Sequence, residues 1–374
     1  MGLIRRKDEK DKDNEKKKSL EDRVYDKEYN ALEVRLNELY SDAVKDMNGK
    51  VNKFLADYEV KNKQMKELLE QGKITLDEYN RWKQGQAFSY SVMQAQTDQL
   101  TQDLINTDKM AADIINGKIP KVYTDAYNLT VYKAELGAYY EGLSMIPNFT
   151  VYNTNAIAFL AKSPQLLPIN VNLNIGKDFV WNKKHIATAI SQGILQGESI
   201  PQIANRLMQV TNMDYNAAIR NARTATGAAR NQGYYDATEI INEEGKKYGL
   251  EMEKTWSAIH DARTRDSHLF LDGTHPNEQG LFGVGYLQKP LRFPKDPHGA
   301  PQEVYNCRCT LLSQIKGIDH SKDRTNYEKW LKENYFDDWY KWKTSTKGQI
   351  QDLEREEAET RQQFIKAMWA YKRG

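Results

Sequence analysis

Cysteine is almost missing from this chain. Its 374 residues include two, Cys307 and Cys309, too few for a disulfide-stapled scaffold. Long apolar runs are missing as well. Nothing approaches the roughly 18 residues of a helical membrane span, so no membrane anchor is expected. An excess of one charge sign is also lacking: 54 Lys+Arg face 52 Asp+Glu, a formal charge of +2. That balance argues against a uniformly basic nucleic-acid binder, although local patches can hide inside a balanced total. The first twenty residues have no apolar h-region, which excludes a Sec signal peptide. Met1-Gly2 opens like a myristoylation site, but Arg6 stands where Ser or Thr is required. Three catalytic signatures are absent: His-Glu-x-x-His, Gly-x-Ser-x-Gly and a Walker loop.

What is present is a polar, helical texture. Mean hydropathy is −0.80, charged residues make up 28% and aromatics 10%. The aromatic content argues against wholesale disorder, and the length suits two or three domains. Residues 1–20 read as a charged disordered segment. Residues 21–145 read as a helical docking region. There Leu32, Val34, Leu36, Leu39 and Tyr40, then Val44, Met47, Val51, Phe54 and Leu55, recur at helical steps. No proline precedes Pro120. Gly72 breaks the pattern, Thr75 and Glu78 form a capping box with an Ile74–Tyr79 staple, and Gly117 with Pro120 predicts another turn.

Residues 146–180 read as a linker or extended arm, with Ile169–Ile175 alternating at period two. A helix is expected from about Asn182 to Leu195. Another opens at a Ser199/Gln202 capping box with Pro201 in its first turn, and a third runs from about Asp214 to Glu244 and stops at Gly245. Met252–Ile259 and Cys309–Ile315 read as strands. The Gly280, Gly283 and Gly285 stretch reads as a mobile loop. Residues 321–374 read as an aromatic, charged helical tail with a capping box at Thr325 and Glu328. This tail, with Trp330, Tyr335, Phe336, Trp339, Tyr340 and Trp342, suits a docking surface or small core better than base stacking. The fold class is α+β, mostly α: long N-terminal helices, a helical core with a small β-sheet and Pro/Gly-rich loops, and a helical C-terminal tail.

Chemistry concentrates between residues 260 and 320, which hold both cysteines and five of the six histidines. If 261–272 is a helix, Asp261, Arg265, His268 and Asp272 share one face, and Gly273 stops it. Residues two apart in an extended strand point the same way, so Cys307 and Cys309 can offer two thiolates to one ion. With His268 and one of Asp261, His260 or His275 they would make a four-coordinate zinc site. The plainer reading is two reduced core cysteines beside an ion-pair network of Arg263, Arg265, Asp261 and His268. A metal-dependent hydrolase or nuclease centred on His268 and Asp261 is the catalytic alternative. On the preceding helix, the small residues around Ala217–Asn231 read as close packing against neighbours; the alternative is that Arg223 and Thr224 reach the Asp261–His268 cluster.

The order Trp256…Asp261-x-Arg263-x-Arg265-x-x-His268-x-x-Leu271-Asp272-Gly273, followed by Asn306-Cys307-Arg308-Cys309, resembles the Mu F-like minor head protein family of tailed bacteriophages, also called the phage head morphogenesis family. Ala222-Arg223-Thr224…Asn231-x-Gly233 is similar to that family's Ala-Arg-Thr-Glu-Thr stretch, with Ala225 standing where Glu is common. The resemblance covers about residues 181–320, the expected core. It implies a structural head protein rather than an enzyme, associating with the portal protein inside the procapsid and contributing to head assembly or DNA delivery. Scaffold, major capsid protein and packaged DNA are further expected partners, and a non-specific DNA-binding head protein is another reading. The implied location is the capsid interior of the virion, with the host cytoplasm during assembly.

Overall fold

The computed structural model describes residues 19–91, 94–140, 149–152, 154, 157, 171, 173–316 and 335–344. Among the described residues five helices come first: α1 (Leu20–Glu70), α2 (Leu76–Ser91), α3 (Gln94–Tyr140), α4 (Ile175–Leu195) and α5 (Ile200–Gly245). Then follow β1 (Met252–Ser257), the short helices α6 (Asp266–Leu271) and α7 (Pro301–Val304), β2 (Thr310–Ile315) and helix α8 (Tyr335–Thr344). The mostly helical α+β class holds. The 1–20 segment up to residue 18, the Thr325 capping box, Trp330 and most of the 146–180 arm lie outside the described residues.

Helix ends follow local chemistry. Ser19 caps α1 by accepting from the Asp22 N–H at 3.1 Å. Gly72 closes it at φ +66, with Gly72 N–H donating to Leu69 O and Lys73 N–H to Leu68 O. The Thr75/Glu78 box is reciprocal: Glu78 N–H donates to Thr75 Oγ1, and Thr75 N–H to Glu78 Oε2 at 2.8 Å. Ser199 N–H likewise donates to Gln202 Oε1 at 2.8 Å.

Two expected breaks do not occur. Gly117 and Pro120 lie inside α3. An internal proline costs about 3 kcal/mol, but Ile119, Val122 and Tyr123 around it are buried, and each such side chain returns roughly 1.5–3 kcal/mol. The polar run at Thr211–Asp214 likewise fails to end a helix, so two expected helices are one, α5. Thr211 is fully buried and donates its hydroxyl back to Leu207 O at 3.3 Å, which accommodates it within the helix. Helix α4 also begins earlier than expected, at Ile175. Asn174 caps it by accepting from Lys177 N–H at 3.2 Å.

The chain forms two compact units, neither continuous in sequence. One comprises residues 31–116 and 171–222. Leu32, Leu36, Val51, Leu55, Ile186, Ile203 and Leu207 are among its buried apolar residues. Tyr79 donates to Asn62 Oδ1 at 2.8 Å and Lys66 to Gly197 O at 2.8 Å, satisfying polar groups inside it.

The other unit gathers residues up to 30, 117–170 and 223 onward. It holds the sheet, two antiparallel strands in the register Met252↔Ile315 to Ser257↔Thr310. A two-stranded ribbon is marginal alone, and the second half of α5 holds it in place. Asn242 exchanges two hydrogen bonds with the Met252 backbone, Thr238 donates to or accepts from Ser313 Oγ at 2.8 Å, and Asn231 accepts from Leu311 N–H at 2.9 Å. The first turns of α1 belong here too: Arg230 donates to Asp22 at 2.8 Å, and Lys133 of α3 pairs with Glu21 at 2.5 Å. Trp256, Leu271, Phe282, Leu291, Phe293, Leu311 and both cysteines form one buried cluster. Gly280, Gly283 and Gly285 all take left-handed φ, and between them Phe282 bridges to Leu291.

Candidate metal centre

The site is assembled by short segments on the sheet. Helix α6 spans only Asp266–Leu271, with Arg265 at its N-cap and Asp272 at its C-cap. The expected four-residue stripe from Asp261 to Asp272 therefore does not share a helical face. Gly273 does supply the stop, at φ +72. His268 lies on the buried side of α6 at 1% exposure, edge-on to Trp256 with ring centroids 5.2 Å apart.

Cys307 and Cys309 lie just before β2, and both sulfurs turn toward the same imidazole nitrogen. His268 Nδ1 is 3.4 Å from Cys307 Sγ and 3.4 Å from Cys309 Sγ. The three ligand-type atoms lie within 4.8 Å of one another, all on buried residues. The other ring nitrogen, Nε2, is 2.9 Å from Glu303 Oε2, which also accepts from Ser267 Oγ at 3.0 Å. A carboxylate at Nε2 calls for a proton there, which leaves the Nδ1 lone pair facing the two sulfurs. Both cysteines are free thiols.

Electrostatics divides the cysteine pair. The hydrogen bond from Cys309 and the nearby Lys295 ammonium draw the Cys307 thiol well below its ordinary range. Cys309 is pushed well up by the same bond and by burial. Trp256 Nε1, buried with no nitrogen or oxygen partner, acts on the Cys309 sulfur. Lys295 is buried nearby, and burial lowers its ammonium to about 8. It takes φ +66 and donates to Arg223 O at 3.3 Å. A Cβ on Gly227 would come within 1.8 Å of its Nζ, so glycine is what lets the lysine lie against α5.

Asp261, expected as a fourth ligand, is elsewhere. Both its oxygens accept from the Arg308 guanidinium, which with the Arg263 N–H holds its carboxyl well below the usual carboxylate range. Arg263 adds a looser contact at 3.6 Å, and Arg265 instead donates to Tyr305 O at 2.6 Å. The other expected ligands are also committed. His260 bonds Asp272 at 2.6 Å, Asp272 also accepts from Ala258 N–H at 2.7 Å, and His275 lies 3.0 Å from Lys254 O. Arg223 and Thr224 reach Asn306: Arg223 donates to its Oδ1 at 3.1 Å, and Thr224 Oγ1 accepts from its N–H at 2.9 Å. Asn306 sits at φ +55, a conformation asparagine tolerates. Together these contacts fix the turn that delivers Cys307.

The arrangement matches a known sequence group. Residues 184–312 match the family described as Phage Mu protein F like protein. This segment is similar to the Mu F-like proteins. Two relatives extend the comparison. The minor head protein GP7 of Bacillus phage SPP1 is 25% identical over 301 residues, covering 79% of this chain and 86% of that protein. The NAD(+)–arginine ADP-ribosyltransferase EFV of Enterococcus faecalis is 30% identical over 159 residues, 42% of this chain. The chain spans 31% of that longer protein. No solved structure matches.

Within the Mu F-like segment, then, the Asn-Cys-Arg-Cys element has two faces. Its cysteines enter the core with His268, while Arg308 between them turns outward to Asp261. Sequence reasoning missed Glu303 and Lys295. Glu303 lies on the four-residue helix α7, 35 residues from the histidine it orients, and no periodicity marks such a pair. A hydrolase centred on His268 and Asp261 is not what the geometry builds, because the imidazole is enclosed and the aspartate is committed to Arg308. Among the described residues no helix is long and apolar enough to cross a membrane.

Proposed function

We propose that this chain is a structural minor head protein of a tailed bacteriophage, associating with the portal inside the procapsid and contributing to head assembly or DNA delivery. The observation that carries this reading is the reach of the similarity to the SPP1 minor head protein. It runs over 301 residues and 86% of that protein, far outside the 184–312 domain and so into the long helices. The name of the E. faecalis relative lends little to an enzymatic reading, since this chain spans only 31% of it.

The chemistry supports a structural role. The residues of the motif are spent on building the unit: His268, Cys307 and Cys309 are buried, Arg308 is bound to Asp261, and Arg223 and Thr224 hold Asn306. Helices of 51, 47 and 46 residues offer long faces of the kind that dock along another helical protein. The balanced charge suits a protein that works near packaged DNA without being held by its phosphates.

The test is co-expression of the full chain with the portal protein encoded in the same phage genome, followed by sedimentation. The chain is expected to travel with the portal ring. Separate sedimentation at all protein ratios would refute portal association.

A further inference from the structure

We propose that His268 Nδ1, Cys307 Sγ and Cys309 Sγ bind one zinc ion, with Glu303 positioning the imidazole and solvent supplying the fourth ligand. This goes beyond the head-protein reading and does not depend on it.

Four observations lead there. The first is spacing. A tetrahedral zinc with Zn–S of about 2.3 Å and Zn–N of about 2.0–2.1 Å separates sulfur from nitrogen by about 3.5 Å, and both sulfur–nitrogen distances here are 3.4 Å. The second is the carboxylate behind the histidine. Glu303 at 2.9 Å from Nε2 is the outer partner that metal-bound histidines regularly have, fixing ring orientation and raising ligand basicity. The third is the indole N–H of Trp256, fully buried without a nitrogen or oxygen partner beside Cys309. A metal-bound thiolate is an acceptor for it. The fourth is access: of the three ligands Cys309 alone lines a cavity of about 380 Å³, together with Lys295 and Arg308, the side from which a water would complete the coordination.

The donor set selects the metal. Two thiolates and an imidazole suit zinc, whereas calcium, magnesium and manganese prefer oxygen ligands. Two thiolates also neutralise a dication, so the complex carries no net charge into the core. Mechanically, the ion would tie α6 to the segment entering β2, 39 residues further along, across a stretch with little regular structure. Binding would thereby be coupled to the folding of this stretch.

The experiment uses the full chain, expressed in zinc-supplemented medium. Elemental analysis is expected to find one zinc per chain, and exchange with cobalt(II) to give thiolate-to-cobalt charge-transfer absorption. Cys307→Ser and Cys309→Ser should each lose that absorption. Glu303→Gln should stay folded by circular dichroism but bind zinc about 10–100-fold more weakly. Asp261→Asn should keep its metal. A folded wild-type chain without stoichiometric zinc and without the cobalt band would overturn the site, whatever the variants do. Loss of metal in Asp261→Asn would overturn the three-ligand assignment, and wild-type affinity in Glu303→Gln would overturn the positioning role.

Discussion

Replacing Asn231 by alanine tests the inference that α5 organises the sheet and the cysteine segment through one buried amide. Asn231 is 1% exposed. Its Nδ2 donates to Pro294 O at 2.7 Å, and its Oδ1 accepts from Leu311 N–H at 2.9 Å and Thr310 Oγ1 at 3.2 Å. A longer contact reaches Cys309 O at 3.4 Å. The substitution strands a buried carbonyl and a buried amide, at about 1–3 kcal/mol each. With the volume lost, the total is on the order of 3–5 kcal/mol, a large share of the roughly 5–15 kcal/mol that holds a domain folded. Urea denaturation, with a slope of about 2–3 kcal/mol/M, should show the midpoint fall by about 1–2 M. Hydrogen exchange across 307–313 should accelerate with it. Asn231→Leu keeps the volume but not the hydrogen bonds, and should lose nearly as much. A midpoint within about 0.3 M of wild type for Asn231→Ala, or full recovery by leucine, would refute the clamp.

Other consequences follow from buried groups. Gly233→Ala puts a Cβ 2.6 Å from Tyr123 O and 3.1 Å from Tyr127 N; backbone cannot step aside, so a loss of about 1–3 kcal/mol is expected in the same melt. Lys343 and Glu135 form an ion pair at 2.6 Å with both side chains 1% exposed. Lys343→Met leaves the Glu135 carboxylate its Phe149 and Trp339 N–H donors but no counter-charge and should cost about 3–5 kcal/mol, whereas Lys343→Met with Glu135→Gln should recover most of it; a single variant as stable as the double would contradict the pairing. In the other unit, burial pushes Asp108 up to about 6, and burial with Asp108 nearby pushes Asp214 up to about 7. Both exceed the unfolded value of 3.8, so the folded state binds more protons between these limits. Stability from these two groups is greatest below about pH 4 and falls as pH rises to about 7. Asp214→Asn should flatten that slope, and an unchanged slope would show that the carboxylate is not buried as described.

Much of this was legible in the sequence wherever the cause was local. The capping boxes at Thr75 and Ser199 and the stop at Gly273 depend on residues within three or four positions, and each forms. The strands at Met252 and Thr310 were visible from their β-rich texture. The missed features have distant causes. Pro120 looks like a break by propensity, but the burial of its neighbours overrides it. Asp261 was placed beside His268 by assuming a helix through 261–272. Its actual partner, Arg308, lies 47 residues away, and the helix begins only at Asp266. The cysteines and histidine were recognisable as ligand types, whereas Glu303, which orients the histidine, carries no spacing signal at all.

The central claim is that this protein is a component of the head. Quantitative mass spectrometry of purified procapsids and mature virions from the phage that encodes it tests this most directly. The account predicts the chain in procapsids at a low, constant ratio to the portal. Its absence from every particle, with the chain found only free in the lysate, would contradict the account.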